Sequence, residues 1–218
     1  MKTRRPPTLP GFSKRPSERS YISAVNLSLF ERFPTIETER LRLRELLDED
    51  APAVFDLFRR QEVTRYYDVE TMTDVAAARA LITFMRGRYV SRTGIRWALE
   101  DSVSRSFMGT IGFNNISPVA HKGLIGYELV PAAWGRGLAT EAVRAIVRFG
   151  HEQVELNRIE AVVMLENHAS VRVLQKAGFI EEGVLRAFGY WKGEYHDLRM
   201  FSALRETRTT RAAPSTVE

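Results

Sequence analysis

A mixed α/β sheet, largely antiparallel with one parallel strand pair and helices on its faces, is the fold class the sequence predicts. Three observations predict it. Residues 95–99, 107–113 and 124–130 are apolar-rich runs joined by polar turns, the pattern of an antiparallel meander. The third run leads through glycines into an amphipathic segment, 138–153, and then into another strand-like run, 158–165. A strand–helix–strand order of this kind makes a crossover, and a crossover makes a local parallel pair. The chain has 218 residues, 44% of them hydrophobic, which suits one well-buried core better than two.

The elements follow in order. Arg40, Arg42 and Arg44 alternate with Leu41 and Leu43, so the first strand has one solvated face. Asp48, Glu49 and Asp50 offer a helix cap, Pro52 suits a first helical turn, and Val54, Phe55, Leu57 and Phe58 form an apolar stripe. A second helix is expected over 74–89, carrying Ala78, Leu81, Ile82 and Met85, with no Gly or Pro before Gly87. The segment 138–153 places Ala142, Ile146, Val147 and Phe149 on one face. Residues 168–177 read as a helix, and 179–185 and 195–204 as the strands that close the sheet.

The net charge is +5, but its distribution matters more than its size. Residues 1–20 hold Lys2, Arg4, Arg5, Lys14, Arg15 and Arg19 against Glu18 alone, with Pro6, Pro7, Pro10 and Pro16 among them. The rest of the chain is balanced. Residues 1–34 are therefore expected to be a disordered basic leader, 35–204 the folded domain, and 205–218 a second loose end. A nucleic-acid groove in the fold is disfavoured, whereas the leader offers a means of touching RNA or a ribosome. No apolar run approaches the ~20 residues that span a bilayer, so a soluble, cytoplasmic protein is expected, monomer or homodimer. The absence of cysteine excludes disulfides, thiolate metal sites and a cysteine acyl-enzyme. His121, His151, His168 and His196 show no paired ligand spacing, and no metal is expected.

The most informative stretch runs from Val130 to Ala142, with Gly135 and Gly137 between an apolar strand and a helix start. Glycines there let consecutive N–H groups face one concave side, and the helix start adds unpaired donors and partial positive charge. The product is an anion cradle suited to phosphate. There is no G-x-G-x-x-G after this strand, and no Lys-Ser/Thr follows the second glycine, so dinucleotide and triphosphate loops are both excluded.

Trp134-Gly135-Arg136-Gly137-Leu138-Ala139 resembles the pyrophosphate loop of the GNAT acetyltransferases, Gln/Arg-x-x-Gly-x-Gly/Ala. Its Trp, and the Thr140-Glu141-Ala142 that follows, are similar to the branch of the ribosomal-protein N-terminal acetyltransferases (RimJ/RimL-like). Asn167-His168-Ala169-Ser170, on a segment ending in Gly178-Phe179, resembles the same branch. So do Thr38-Glu39-Arg40-Leu41-Arg42-Leu43-Arg44 and Glu194-Tyr195-His196-Asp197, and the likeness spans residues 37–204. It implies a GNAT fold whose parallel pair splays apart, with acetyl-CoA as cosubstrate and its pantetheine arm in the gap.

Amide formation from a thioester needs a neutral amine, a polarised carbonyl and a proton for the leaving thiolate. The resemblance implies that Trp134, Gly135, Arg136, Gly137, Leu138, Ala139 and Thr140 hold the pyrophosphate, and that a backbone N–H of Leu129 or Val130 meets the carbonyl. It places the Ser170 hydroxyl near the sulfur and Asn167 near the pantetheine. By residue type alone, Asn167 is a helix N-cap and Ser170 a first-turn residue. The tyrosine that many of these enzymes carry four residues further on is Leu174 here. Glu128, on the strand leading to the cradle, is the candidate base, with Glu160 on the neighbouring strand as its rival. Residues 185–190, where RimL-like enzymes place a base, hold no carboxylate. Arg65, Tyr66, Tyr67 and Trp97 line the acceptor pocket by the same analogy, and aromatic residues there serve equally well as core.

The expected activity is therefore direct attack of a primary amine on a bound acetyl thioester. A protein α-amine, with a pKa of about 7.7–8.0 against about 10.4 for lysine, needs the least help. Small amines, amino acids and antibiotics are the alternative acceptors. A CoA-binding or ribosome-associated protein without turnover is the alternative outside the enzymes.

Overall fold

The computed structural model describes residues 30–205. Eight strands form one sheet: β1 (Ile36–Glu37), β2 (Leu41–Glu45), β3 (Ile95–Asp101), β4 (Phe107–Ser117), β5 (Lys122–Leu129), β6 (Arg158–Met164), β7 (Ile180–Trp191) and β8 (Glu194–Leu204). Their spatial order is β1-β2-β3-β4-β5-β6-β8-β7. Every pair is antiparallel except β5–β6. The helices are α1 (Ala51–Phe58), α2 (Gln61–Thr64), α3 (Val75–Val90), α4 (Leu138–Glu152) and α5 (His168–Lys176).

The strand alternation sorts the core into two layers. Leu41, Leu43, Ile95, Trp97, Leu99, Phe113, Ile125 and Ile159 pack on one face against Leu138, Ala142, Ile146 and Phe149 of α4. On the other face, Ala98 meets Val54, Leu57 and Phe58 of α1 and Ala78, Ile82 and Met85 of α3. Gly150 lets α4 approach the sheet closely: a Cβ there would lie 2.8 Å from both Ile159 and Phe113 side-chain atoms.

The parallel pair is short. Lys122, Gly123 and Leu124 pair with Arg158, Ile159 and Glu160, and nothing pairs beyond them, although β5 continues to Leu129 and β6 to Met164. β6 stays bonded to β8 along its whole length. β5 and β6 therefore fan apart toward their C-terminal ends, and the crossover through α4 begins at that open end.

Several boundaries differ from expectation. Phe30 and Phe33, assigned to the leader, pack against Tyr89 with ring centroids 5.2 and 4.9 Å away, and Pro34 accepts a hydrogen bond from the Trp97 indole. The expected edge of the domain at 35 thus cuts a packed segment. The leader call for residues 1–29 and the tail call for 206–218 lie outside the described residues. The helix expected over 74–89 runs from Val75 to Val90 as α3, with Asp74 outside it as the cap, accepting from Ala77 N–H at 2.9 Å. Asp50 does not cap α1; its carboxylate takes the Leu47 N–H and the Arg44 fork, both oxygens at 2.7 Å from guanidinium nitrogens. β7 runs to Trp191, well past 185, because it pairs with β8 in a hairpin. Among the described residues no helix is long and apolar enough to cross a membrane.

Candidate active site

The cradle sits where β5 ends. Gly135 and Gly137 have φ of 71° and 79°, a region that β-carbons disfavour. Gly137 is the N-cap of α4 and has no side chain with which to satisfy the first turn; the first helical bond is Glu141 N–H to Gly137 O at 3.1 Å. The N–H groups of Leu138, Ala139 and Thr140 are left without an acceptor in the helix. A serine or aspartate cap would have consumed one of these donors. A glycine cap leaves them for an anion, and a Cβ added at Gly135 would meet nothing within 4 Å. The residues present thus fit a pyrophosphate.

Backbone groups also face the splay. Val130 N–H donates to Met108 O at 2.9 Å, which makes the Val130–Met108 pair hydrogen-bonded and the adjacent Leu129–Gly109 pair non-bonded. The Leu129 N–H therefore points away from β4, into the gap toward β6. Its carbonyl accepts from the half-exposed Trp134 indole at 2.8 Å, which folds the loop back over the strand end.

Across the gap, Asn167 Oδ1 caps α5 by accepting from Ser170 N–H at 3.1 Å, leaving the amide nitrogen free to donate. The Ser170 hydroxyl lies 2.7 Å from the phenol oxygen of Tyr127 on β5. Burial pushes the Tyr127 phenol up to about 12, against the opposing influence of Ser170 and with the help of Glu128. Both hydroxyls are neutral at physiological pH, and the pair spans the mouth of the splay.

Glu128 is next in the chain and so points to the opposite face of the sheet. There Arg96 of β3, Thr110 of β4 and Glu128 of β5 form a buried cluster across three strands. Arg96 ion-pairs with Glu128 Oε2, donates to Thr110 Oγ1 at 3.0 and 3.1 Å, and donates to Asn114 Oδ1 at 2.9 Å. Thr110 donates to the same Glu128 oxygen at 2.8 Å. Burial works against the guanidinium charge, but Glu128 and the nearby Tyr67 phenol outweigh it and hold Arg96 above its ordinary value. The other oxygen, Glu128 Oε1, is buried and has no hydrogen-bond partner. Tyr67 stands beside the carboxylate, its phenol pushed up by burial and by Glu128.

A model of the acetyltransferase (GNAT) domain matches residues 40–180 of this chain. The chain belongs to the GNAT acetyltransferases. It is 40% identical over 173 residues to the uncharacterised N-acetyltransferase YoaA of Bacillus subtilis (strain 168), covering 79% of this chain and 98% of that one. Among solved structures, Mycobacterium smegmatis RimJ in complex with a CoA disulfide superposes with a TM-score of 0.73 at 23% identity, over 79% of this chain and 88% of RimJ. RimL, described as a ribosomal L7/L12 alpha-N-protein acetyltransferase and solved with coenzyme A, gives 0.72 at 20% identity over 78% and 98%. The protein is an acetyl-CoA-dependent N-acetyltransferase of the GNAT type.

Within this GNAT fold, three expectations need correction. Trp97 does not line a pocket: it is 0% exposed, stacks edge-on against Phe149 at 5.3 Å, and faces α4, on the other side of the sheet from Glu128. Val130 has spent its N–H on β4, which leaves Leu129 as the donor facing the splay. Glu160 is held by Lys122 at 3.2 Å and Arg158 at 2.7 Å, and its register partner Leu124 is five residues, about 16 Å, from Leu129. Leu138 is buried, so only its backbone faces the cradle. Tyr67 meets Glu128, whereas Tyr66 takes Arg65 over its ring at 5.1 Å. Lys192, at the tip of the β7–β8 hairpin, donates to Thr64 O at 2.7 Å, so the segment carrying Tyr66 and Tyr67 and the hairpin flank the same face.

Sequence reasoning missed Tyr127, Arg96 and Thr110. The signal was faint but present, since Arg96, Thr110 and Glu128 are polar residues within apolar runs of three successive strands. Only the register puts them side by side. No group of three metal-ligating side chains comes together among the described residues.

Proposed function

We propose that this acetyltransferase acts on protein N-terminal α-amines, with Glu128 receiving the amine and the Ser170 hydroxyl serving the sulfur. The observation that carries the reading is the divided Glu128 carboxylate. One oxygen is locked by Arg96 and Thr110; the other is buried and unpartnered. An unpartnered buried oxygen is costly on its own, and an ammonium or amine N–H satisfies it.

The cosubstrate supplies an activated acyl group as a thioester. The chain's own groups do the rest. The Gly135–Gly137 turn and the first N–H groups of α4 hold the pyrophosphate, and the Leu129 N–H polarises a carbonyl lying in the splay. Glu128 Oε1 orients the amine and accepts its proton, directly or through one water. Ser170 gives a proton to the departing sulfur, with Tyr127 behind it at hydrogen-bonding distance. Amine and sulfur groups thus lie on opposite sides of the end of β5, as direct attack in a ternary complex requires.

An α-amine is favoured on magnitude. At neutral pH roughly a tenth of α-amines are already neutral, against well under a thousandth of lysines, so a base with a single free oxygen suffices. The resemblance of the Trp134 cradle to RimJ/RimL-like enzymes, and RimL's description as an alpha-N-protein acetyltransferase, point the same way.

Glu128→Gln tests the assignment. Turnover of N-terminal peptides should fall about 10²-fold or more, with acetyl-CoA affinity unchanged and the circular-dichroism spectrum retained. Unchanged turnover removes Glu128 from the reaction. Faster turnover of polyamines or free amino acids than of any peptide removes the α-amine as acceptor.

A further inference from the structure

Two side chains from stretches singled out in the sequence, Arg40 of Thr38-Glu39-Arg40 and Glu141 of Thr140-Glu141-Ala142, have no part in the chemistry above. They meet in the structure. Glu141 Oε1 accepts from Thr38 Oγ1 at 2.7 Å and from Arg40 N–H at 2.9 Å. Glu141 Oε2 accepts from Arg40 Nε at 2.7 Å and pairs with Nη2 at 2.6 Å. The remaining guanidinium nitrogen, Nη1, donates to the carbonyl of Arg136 at 2.9 Å. That carbonyl belongs to the peptide unit at the centre of the cradle.

A trans peptide carries its C=O and its N–H on opposite sides, and this chain has no cis bonds among the described residues. Holding the Arg136 oxygen toward Arg40 therefore turns the Gly137 N–H the other way. The glycine itself does not secure this. Gly137 reaches φ 79° because it lacks a Cβ, and for the same reason the 136–137 unit is free to flip. A flipped unit presents a carbonyl oxygen to an incoming anion instead of a donor. Arg40 is close enough to prevent that: its Nη2 lies 3.6 Å from where a Gly137 Cβ would stand.

We propose that Arg40 and Glu141 are positioning residues that lock the Arg136–Gly137 peptide with its N–H facing the pyrophosphate. Arg40 does not supply its charge to the ligand, because Glu141 neutralises it. The fork geometry is what matters: two nitrogens on the carboxylate, the third on the carbonyl. Lysine cannot reproduce it.

The inference rests on the cradle being the pyrophosphate site, and the experiment separates the two. Calorimetry with CoA gives the affinity of wild type, Arg40→Lys, Arg40→Gln and Gly137→Glu. Turnover is measured in parallel with acetyl-CoA and with acetyl-pantetheine, which lacks the pyrophosphate. Expected is CoA binding about tenfold weaker in both Arg40 variants, with kcat/KM for acetyl-pantetheine within about twofold of wild type. Wild-type CoA affinity in Arg40→Lys overturns the lock, since charge alone would then suffice. An equal fall with acetyl-pantetheine overturns it too, by showing a general loss of structure. If Gly137→Glu leaves CoA affinity unchanged, the cradle assignment itself falls. Should Arg40→Gln not fold, Arg40→Lys, which keeps a cation beside Glu141, decides alone.

Discussion

On the cradle side of β5 the working groups are backbone N–H donors, exposed on a glycine turn and a helix start. On the other side they are side chains from three strands, buried and charged, and arranged around one carboxylate. The first site gains its potential from conformation, because its donors belong to the backbone and act only as the turn aims them. The second gains it from identity and register, because only Arg96, Thr110 and Glu128 in that alignment give it. The difference predicts different failures: the cradle loses ligand without losing stability, and the buried cluster loses turnover and stability together.

The largest effect should come from separating the buried pair. Arg96→Met leaves Glu128 buried and uncompensated, at a cost of about 3–5 kcal/mol. For a chain of this size that is a fall of roughly 6–20 °C in Tm by calorimetry. The double variant Arg96→Met, Glu128→Leu should recover much of the loss while remaining inactive. If the single variant unfolds at the wild-type temperature, the buried Arg96–Glu128 pair does not carry that stability.

Gly137→Glu comes next. It forces a β-carbon into a left-handed turn and puts a negative charge in an anion site, so CoA affinity should fall about 100-fold, on the order of 2.7 kcal/mol. Tm should move by less than in Arg96→Met. A larger Tm loss for Gly137→Glu would erase the distinction between the two regions.

The mouth of the splay joins them and should respond in steps. Ser170→Ala is expected to lower kcat about 10²-fold. Tyr127→Phe removes only the partner of that hydroxyl and should cost about fivefold, one net hydrogen bond of about 1 kcal/mol. Because the Tyr127 phenol is pushed up to about 12, it stays protonated throughout the working range. An alkaline loss of kcat near pH 10 that disappears in Tyr127→Phe would contradict this.

The smallest effect is one of pH. Burial opposes the Glu141 charge, but the Thr38 hydroxyl and the N–H and guanidinium of Arg40 outweigh it and hold the carboxyl below its ordinary range. A depressed carboxyl contributes its stability fully above the unfolded value of about 4.3 and loses it as pH falls through the folded value. CoA affinity should accordingly be flat from pH 6 to 8 as far as Glu141 is concerned, and the Tm difference between wild type and Glu141→Gln should shrink below about pH 4.

Much of the cradle was legible because its chemistry is local. Gly135 and Gly137 announce their backbone conformation wherever they stand, and the amphipathic run after them marks a helix start. Asn167 and Ser170 were legible for the same reason, as a cap and a first-turn residue on one helix. Glu128 was visible as a carboxylate near the strand end, but its partners were not. Arg96 and Thr110 lie 32 and 18 residues away, and a one-residue slip in either strand would turn them to the other face. Trp97 shows the cost of that gap, since analogy put it at the acceptor pocket and alternation put it in the core.

The sequence by itself determined the order of elements, the glycine turn, the helix that opens from it, and so the family. Those follow from short-range sterics and from hydrophobic period, which act within a few residues. Tertiary structure alone decided that the β5–β6 pairing stops after Leu124, that Leu129 and not Val130 faces the gap, and that one oxygen of Glu128 is spent while the other is free. It also decided that Arg40, nearly a hundred residues before Arg136, holds its carbonyl. Strand register and long-range hydrogen bonds depend on how every element packs at once, and no local stretch of the chain encodes that.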